Sequence, residues 1–219
     1  IGGRFYNTYY RYTMGQGYNT GSDYMTALSN TNSDLRTLTG YEYTDRNAAW
    51  YFNADYAYRH RYFFNVGMSL ETSSRFGREA GGVDLCGVSW GYFPSVSGAW
   101  LVSSEKFMRN VDFINNLKVR VAYTMSGNDN LPLFANRSYF TSTSFVKDAT
   151  GLVLANIGNE KLKWETTART NIGLDFSMFS NRLAVNADVF FSRTKDLVTR
   201  RPLNDEAGLE YFWDNDGEM

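Results

Sequence analysis

Arg-Tyr-Phe-Phe-Asn-Val-Gly-Met-Ser-Leu-Glu, at residues 61–71, is the stretch that decides the fold class of this chain. Successive side chains of a β-strand point to opposite faces, so residues of one parity share a face. The odd positions of this stretch are mostly polar or small, and the even positions are apolar: Tyr62, Phe64, Val66, Met68 and Leu70. The pattern predicts a strand with one apolar and one largely polar face.

Similar alternation recurs along the chain and gives seven predicted strands: Arg4–Met14, Trp50–Tyr58, Tyr62–Leu70, Trp90–Val102, Leu117–Met125, Ile172–Met178 and Leu183–Phe191. A strand restart is also indicated near Leu209–Trp213. The predicted connections alternate between long ones (about 15–47, 72–89, 127–163 and 199–219) and short ones (59–61, 103–116 and 179–182). Outer-membrane barrels have short periplasmic turns and long extracellular loops, so the four long segments are predicted to be extracellular.

Composition agrees with a membrane β-barrel. Aromatic residues make up 17% of the 219 residues, with 16 Tyr, 16 Phe and 5 Trp, as expected for aromatic girdles at the membrane interfaces. The mean hydropathy of −0.42 argues only against a helical membrane protein. A transmembrane helix needs about 20 consecutive apolar residues, whereas a barrel strand needs only alternate residues to be apolar.

A soluble β-sandwich is the main alternative, because its strands also alternate, with the apolar face turned to a packed core. Such a domain, rich in Tyr and Trp, would bind glycans by stacking. Strand length and the alternation of loop length favour the barrel. Since single-chain bacterial barrels have an even number of strands and at least eight, the sequence predicts an all-β, antiparallel transmembrane β-barrel wall, about seven strands of a larger barrel, rather than a small porin-like barrel.

Few residues have a pattern that indicates chemistry. His60 is the only histidine and lies between two arginines in a predicted turn, so neither a Ser-His-Asp triad nor a histidine metal site is expected. Cys86 is alone and is interpreted as an ordinary loop cysteine. The 22 basic and 23 acidic residues are well mixed, which disfavours nucleic-acid binding. We therefore expect no enzyme activity, no metal and no cofactor.

The most informative candidate site consists of the polar side chains at alternate positions of the predicted strands, which share one face. In a barrel these side chains would face the lumen, where they could hydrogen-bond a passing solute or a plug domain that fills the pore. Solvation of the lumen and cross-strand pairing alone is the simpler interpretation. The predicted lumen-facing residues are Asn53, Asp55, Asn65, Glu71, Lys118, Arg120, Asn171, Asp175, Asn186 and Asp188.

Nine segments between about residues 48 and 198, taken together and in order, resemble the barrel of SusC/RagA-type TonB-dependent outer-membrane transporters. They are Ser73–Gly77, Trp90–Ser97, Glu105–Met108, Asn116–Tyr123, Gly127–Asn130, Ile157–Thr167, Asn171–Phe176, Asn181–Asp188 and Thr194–Val198. Residues 1–47 and 199–219 match poorly.

The resemblance implies a 22-stranded barrel with an internal plug. It also implies import of oligosaccharides or peptides across the bacterial outer membrane, with energy from TonB, and a SusD-like surface lipoprotein that acts as a lid. The matching segments belong to the barrel wall, so we expect residues 1–219 to be a single partial domain without the plug and without the TonB-contacting segment. No functional residue of the family can be transferred, because the matching segments belong to the wall.

Overall fold

Strands account for most of the chain in the computed structural model, which describes residues 1–146, 149–204 and 208–219. The described residues form strands β1 (Gly2–Gln16), β2 (Thr37–Tyr58), β3 (Tyr62–Ser73), β4 (Val83–Leu85), β5 (Val88–Leu101), β6 (Ile114–Asn128), β7 (Tyr139–Val146), β8 (Ala149–Asn156), β9 (Glu165–Met178), β10 (Leu183–Pro202) and β11 (Tyr211–Glu218). Short 3₁₀ turns lie at Leu28–Asn30, Ser33–Leu35, Val102–Ser104 and Lys106–Met108. Within these described ranges no helix is long and apolar enough to cross a lipid bilayer.

The main sheet has the order β1-β2-β3-β5-β6-β9-β10-β11, with β4 paired to β5, and β7 and β8 form a separate two-stranded sheet. From β2 to β11 the strands of the main sheet pair antiparallel with their neighbours. Seven of its strands cover the seven predicted ones, except that Val102 belongs to a 3₁₀ turn after β5. The predicted all-β, antiparallel class is therefore confirmed.

Apolar side chains of adjacent strands line up on one face of the sheet. One cross-strand row runs Tyr56, Phe64, Gly98, Val121, Ile172, Val189. Phe64, Val121, Ile172 and Val189 are 53%, 48%, 47% and 56% exposed. Met68 and Leu174, on the same face, are also exposed. The sheet therefore does not bury this face against another layer of the described residues, as the core of a β-sandwich would.

Several predicted loop boundaries are wrong. The predicted loop 15–47 is longer than the observed connection, because β1 reaches Gln16 and β2 begins at Thr37. The segment 72–89 contains β4, and 127–163 contains the β7–β8 hairpin. The segment 199–219 is largely strand, since β10 continues to Pro202 and pairs with β11. In each case backbone pairing gives strand conformation to residues that carry little apolar alternation, either by extending a predicted strand or by adding β4 and the β7–β8 hairpin.

The chain divides into two compact units: residues 5–46, and residues 1–4 together with 47–219. The expected single partial domain stays a prediction. In the smaller unit Arg36 holds the segment before β2. Its guanidinium donates hydrogen bonds to the backbone oxygens of Ser29 and Thr31, at 2.8 and 2.6 Å. The rings of Tyr10 and Tyr43 stack with centroids 5.2 Å apart.

The larger unit has a compact core among its long connections. Leu162 is fully buried, and Phe76 packs with Ala80 and Leu131 against Trp164. The Trp164 ring lies 4.5 Å from Phe76 and 5.4 Å from Phe93, measured between centroids. These contacts therefore hold together segments that are far apart in sequence, at the end of the sheet where the long connections lie.

Candidate functional site on the polar face of the sheet

The register places the predicted polar residues on the face opposite the apolar row. Asp55 lies opposite Asn65, which lies opposite Ser97, and the same row continues through Ala122 to Asn171. The row next to it runs Ala57, Phe63, Ala99, Arg120, Gly173, Asp188. The parity inferred from the sequence is therefore correct for the strands that carry these side chains.

Three of the candidates form an amide–carboxylate cluster on β2 and β3, defined as Asn53, Asp55 and Asn65. Asn65 donates hydrogen bonds to Asp55 at 2.6 Å and to Asn53 at 2.9 Å. Asn53 donates to the second Asp55 oxygen at 3.0 Å. The Asp55 side chain is held by two amide donors and is exposed on this face, with no Lys or Arg of the described residues within ion-pair distance.

Three further candidates form an arginine network on β6, β9 and β10, defined as Arg120, Asp175 and Asp188. The Arg120 guanidinium donates two hydrogen bonds to Asp175, at 3.0 and 2.8 Å. It also reaches Asp188, two strands away, at 3.3 Å. Paired N–H donors that meet both carboxylate oxygens fix the direction of the guanidinium.

Gly173 makes room for this network and was not among the candidates predicted from the sequence. It lies between Arg120 and Asp188 in the same cross-strand row. A Cβ atom at position 173 would lie 2.8 Å from Cζ of Arg120 and 2.5 Å from Oδ1 of Asp188. A glycine inside a strand often marks such a close approach, which is the signal that could have found it.

The remaining four candidates do not join either group. The ammonium of Lys118 lies 5.6 Å from the centroid of the Phe63 ring. Glu71 is half-buried opposite Ala49, and Asn186 is exposed opposite Asp175. Asn171 is partly buried, and its side-chain oxygen accepts no hydrogen bond from the described residues.

Small residues form the floor between the two groups. A shallow depression of about 360 Å³ is lined on the polar face by Asp55 and Asn65 at one side, Arg120 at the other, and Ser97, Ala99 and Ala122 between them. The Phe63 ring lies on the same face and also lines the depression, so the charged and amide groups stand beside one large aromatic side chain. The arrangement can offer hydrogen-bond donors and acceptors to a polar solute or chain segment. Within the described ranges no group of three or more His, Cys, Asp or Glu residues could hold a metal ion.

A second polar node lies beyond the strand ends, at Glu105. Its carboxylate accepts hydrogen bonds from the Tyr62 hydroxyl at 2.7 Å, from Trp100 Nε1 at 3.3 Å and from Arg61 at 3.2 Å. The hydrogen bond from Tyr62, followed by that from Trp100 and the charge of Arg61, lowers the pKa of Glu105 below its ordinary value. This node ties the β2–β3 turn to the β5–β6 connection.

The family model described as "TonB dependent receptor-like, beta-barrel" matches residues 2–219. The chain belongs to this family. It is 30% identical over 199 residues to TonB-dependent receptor P39 of Formosa agariphila, which covers 90% of this chain and 18% of that relative. It is 29% identical over 171 residues to TonB-dependent receptor SusC of Bacteroides thetaiotaomicron, covering 75% of this chain and 16% of SusC. The chain thus spans less than a fifth of the length of these relatives.

Solved structures described as the RagAB peptide transporter share the fold. One superposes with a TM-score of 0.79 at 21% identity, over 98% of this chain and 24% of the other. Another, described as the "open-open" state of the RagAB peptide importer, gives a TM-score of 0.75 at 22% identity, over 98% of this chain and 23% of the other. The resemblance to SusC/RagA-type transporters read from the nine sequence segments is confirmed.

Proposed function

We propose that this chain is part of the barrel wall of a TonB-dependent importer in the bacterial outer membrane. The apolar face meets lipid, and the polar face lines the transport path. The exposed cross-strand row through Phe64, Val121 and Val189 carries this proposal. A band of apolar side chains that is not buried against other described residues suits hydrocarbon, while the hydrogen-bonded groups on the other face suit a wet lumen.

The proposed solute is an oligosaccharide or a peptide. Membership of the receptor-like family supports import, and similarity to RagAB, which is described as a peptide transporter, supports a peptide. The oligosaccharide class follows from the SusC/RagA-type resemblance of the nine sequence segments. The polar face agrees, since the amide–carboxylate cluster and the arginine network can pair with hydroxyl, amide and charged groups alike. We also propose a SusD-like surface lipoprotein as partner at the outer mouth and TonB as the source of energy, as the SusC/RagA-type resemblance of the nine sequence segments implies.

The soluble glycan-binding sandwich is disfavoured by the same exposed row. A sandwich packs two sheets about 10 Å apart with interdigitating side chains, so Val121 and Ile172 would be buried. Both are nearly half exposed.

Adjacent cysteines on opposite faces of β5 test the proposed function. In a Cys86→Ser background, Ser97→Cys and Val96→Cys place one thiol on each face at nearly the same depth. Ser97 lines the depression on the polar face, and Val96 is 52% exposed on the apolar face. Cells that depend on this protein for uptake would be treated with a membrane-impermeant maleimide. The reagent should be small enough to enter the barrel and large enough to obstruct the transport path once it is attached.

Modification at position 97 is expected to reduce uptake of an oligosaccharide or peptide mixture by tenfold or more. Position 96 should stay unmodified because lipid covers it, and uptake should be unchanged. Labelling of position 96 in intact membranes, or full uptake after complete labelling of position 97, would overturn the proposal.

A further inference from the structure

Three short connections lie together at one end of the main sheet: 59–61, 102–113 and 179–182. We call this set the short-connection rim. Backbone contacts join its parts, because the amide of Leu101 donates to Arg61 at 2.8 Å and the amide of Phe179 donates to Phe113 at 2.9 Å. The side chain of Asn115 also accepts from the backbone of Asn181 at 3.1 Å. The rim is therefore a continuous surface rather than three independent turns.

Positive charge dominates the rim. Its three connections hold five Lys or Arg residues and two carboxylates. Arg61 is neutralised by Glu105 at 3.2 Å, whereas Arg59, Lys106, Arg109 and Arg182 are exposed and have no carboxylate within ion-pair distance among the described residues. At the opposite end, the connections 74–87 and 129–164 are nearly balanced, with six Lys or Arg and five Asp or Glu residues.

Aromatic side chains border the same rim. Tyr62 stacks on Trp100 at 6.3 Å between centroids, and the Arg59 guanidinium lies 5.0 Å from the centroid of the Tyr58 ring. These rings share the apolar face with Phe64. Within the connections, Phe107, Phe113 and Phe179 are 65%, 53% and 55% exposed. Aromatic rings followed by free cations match the headgroup layer of a membrane, where rings lie among the carbonyls and cations reach the phosphates.

We propose that the short-connection rim binds the phosphates of anionic phospholipids, of the phosphatidylglycerol or cardiolipin type, in the adjacent leaflet. The inference rests on the proposed function, since it needs the apolar face to lie in lipid. Charge complementarity identifies the occupant: just beyond an apolar band, where lipid phosphates lie, there are four cations without a carboxylate partner in the described part of the chain. A soluble acidic protein segment would not need the exposed rings that border these charges.

The test uses the full-length protein in nanodiscs that contain equal amounts of phosphatidylcholine and phosphatidylglycerol. Native mass spectrometry then counts the lipids of each class that stay bound. The test variant combines Arg59→Gln, Arg109→Gln and Arg182→Gln. The control variant removes the same charge from the long connections with Arg78→Gln, Arg137→Gln and Lys161→Gln.

The wild type and the control should retain more phosphatidylglycerol than phosphatidylcholine. In the rim variant the ratio of the two bound lipids should be at least tenfold lower, since each juxtamembrane cation contributes measurably to anionic-lipid binding. The preference should weaken with salt and should not fall when free glycerol phosphate is added. Equal lipid retention by the rim variant and the wild type would overturn the inference, as would competition by glycerol phosphate. Loss of uptake without a change in lipid retention would also overturn it and assign the rim to a protein partner.

Failure of this inference is distinguishable from failure of the proposed function. The protein would still enter nanodiscs and show protection of position 96 if only the lipid preference were absent. A protein that stayed monodisperse without detergent or lipid would contradict both.

Discussion

A charge placed on either side of one strand separates the two faces of the sheet. Val121→Lys and Ala122→Lys put the same ammonium on neighbouring residues of β6, close in depth but on opposite faces. Val121 is nearly half exposed on the apolar face. Ala122 lies on the polar face between Ser97 and Asn171.

The expected free-energy changes differ severalfold. A lysine in the lipid-facing band costs about 2–4 kcal/mol when it lies near the bilayer midplane. At position 122 the ammonium meets a polar surface, where the side-chain oxygen of Asn171 lacks a donor. Ala122 is half-buried, but a lysine there can extend over the polar face, so the cost of Ala122→Lys should stay within about 0.5 kcal/mol, as for other surface substitutions. Val121→Leu is the matched control for the loss of valine and should be nearly neutral.

Folding into lipid vesicles measures the difference. Each variant would be refolded and titrated with urea, and the folded fraction read from its mobility on unheated gels. Val121→Lys should lower the unfolding midpoint clearly, and Ala122→Lys should not. Equal midpoints, or a larger loss for Ala122→Lys, would refute the assignment of the two faces.

Four more predictions concern single groups. A double-mutant cycle with Arg120→Gln and Asp175→Asn should give a coupling of about 1 kcal/mol in urea titrations, because the pair is bidentate but partly exposed; zero coupling would contradict the network. Since hydrogen bonds lower the folded-state pKa of Glu105, its stabilisation should be complete above the unfolded pKa of about 4.3 and lost as pH falls through the folded value, and Glu105→Gln should remove this pH dependence of the unfolding midpoint. Trp164→Ala should cost about 2–4 kcal/mol and speed amide exchange in the long connections, whereas unchanged exchange would show that the ring does not clamp them. His60 has φ of 53°, so His60→Gly should stabilise the turn by up to about 1 kcal/mol, measured as a raised midpoint.

The alternation around Phe64 was enough to predict the class of the fold and the two faces, because a period of two is encoded locally in each strand. The same reasoning placed Asp55 and Arg120 on one face correctly. Local pattern could not show that β6 pairs with β9 across residues 129–164, since that register depends on contacts distant in sequence.

The missed elements have little apolar alternation. Strand β4 has three residues, β7 is rich in Ser and Thr, and the first part of β2 carries Thr, Gly and Glu at positions that resemble a loop. Their strand conformation comes from backbone hydrogen bonds to a partner. The role of Gly173 was missed for another reason, because the distance that matters joins side chains on three strands.

Spin labels along β3 test the central claim most directly. Single cysteines at positions 63 to 69, in a Cys86→Ser background and in lipid, would be labelled, and the collision rates of each label with oxygen and with a water-soluble nickel complex measured. Labels at positions 64, 66 and 68 should collide more with oxygen, which concentrates in hydrocarbon, and labels at 63, 65, 67 and 69 more with the nickel complex. Collision rates without a period of two, or with the opposite phase, would contradict an apolar face in lipid and a polar face in water.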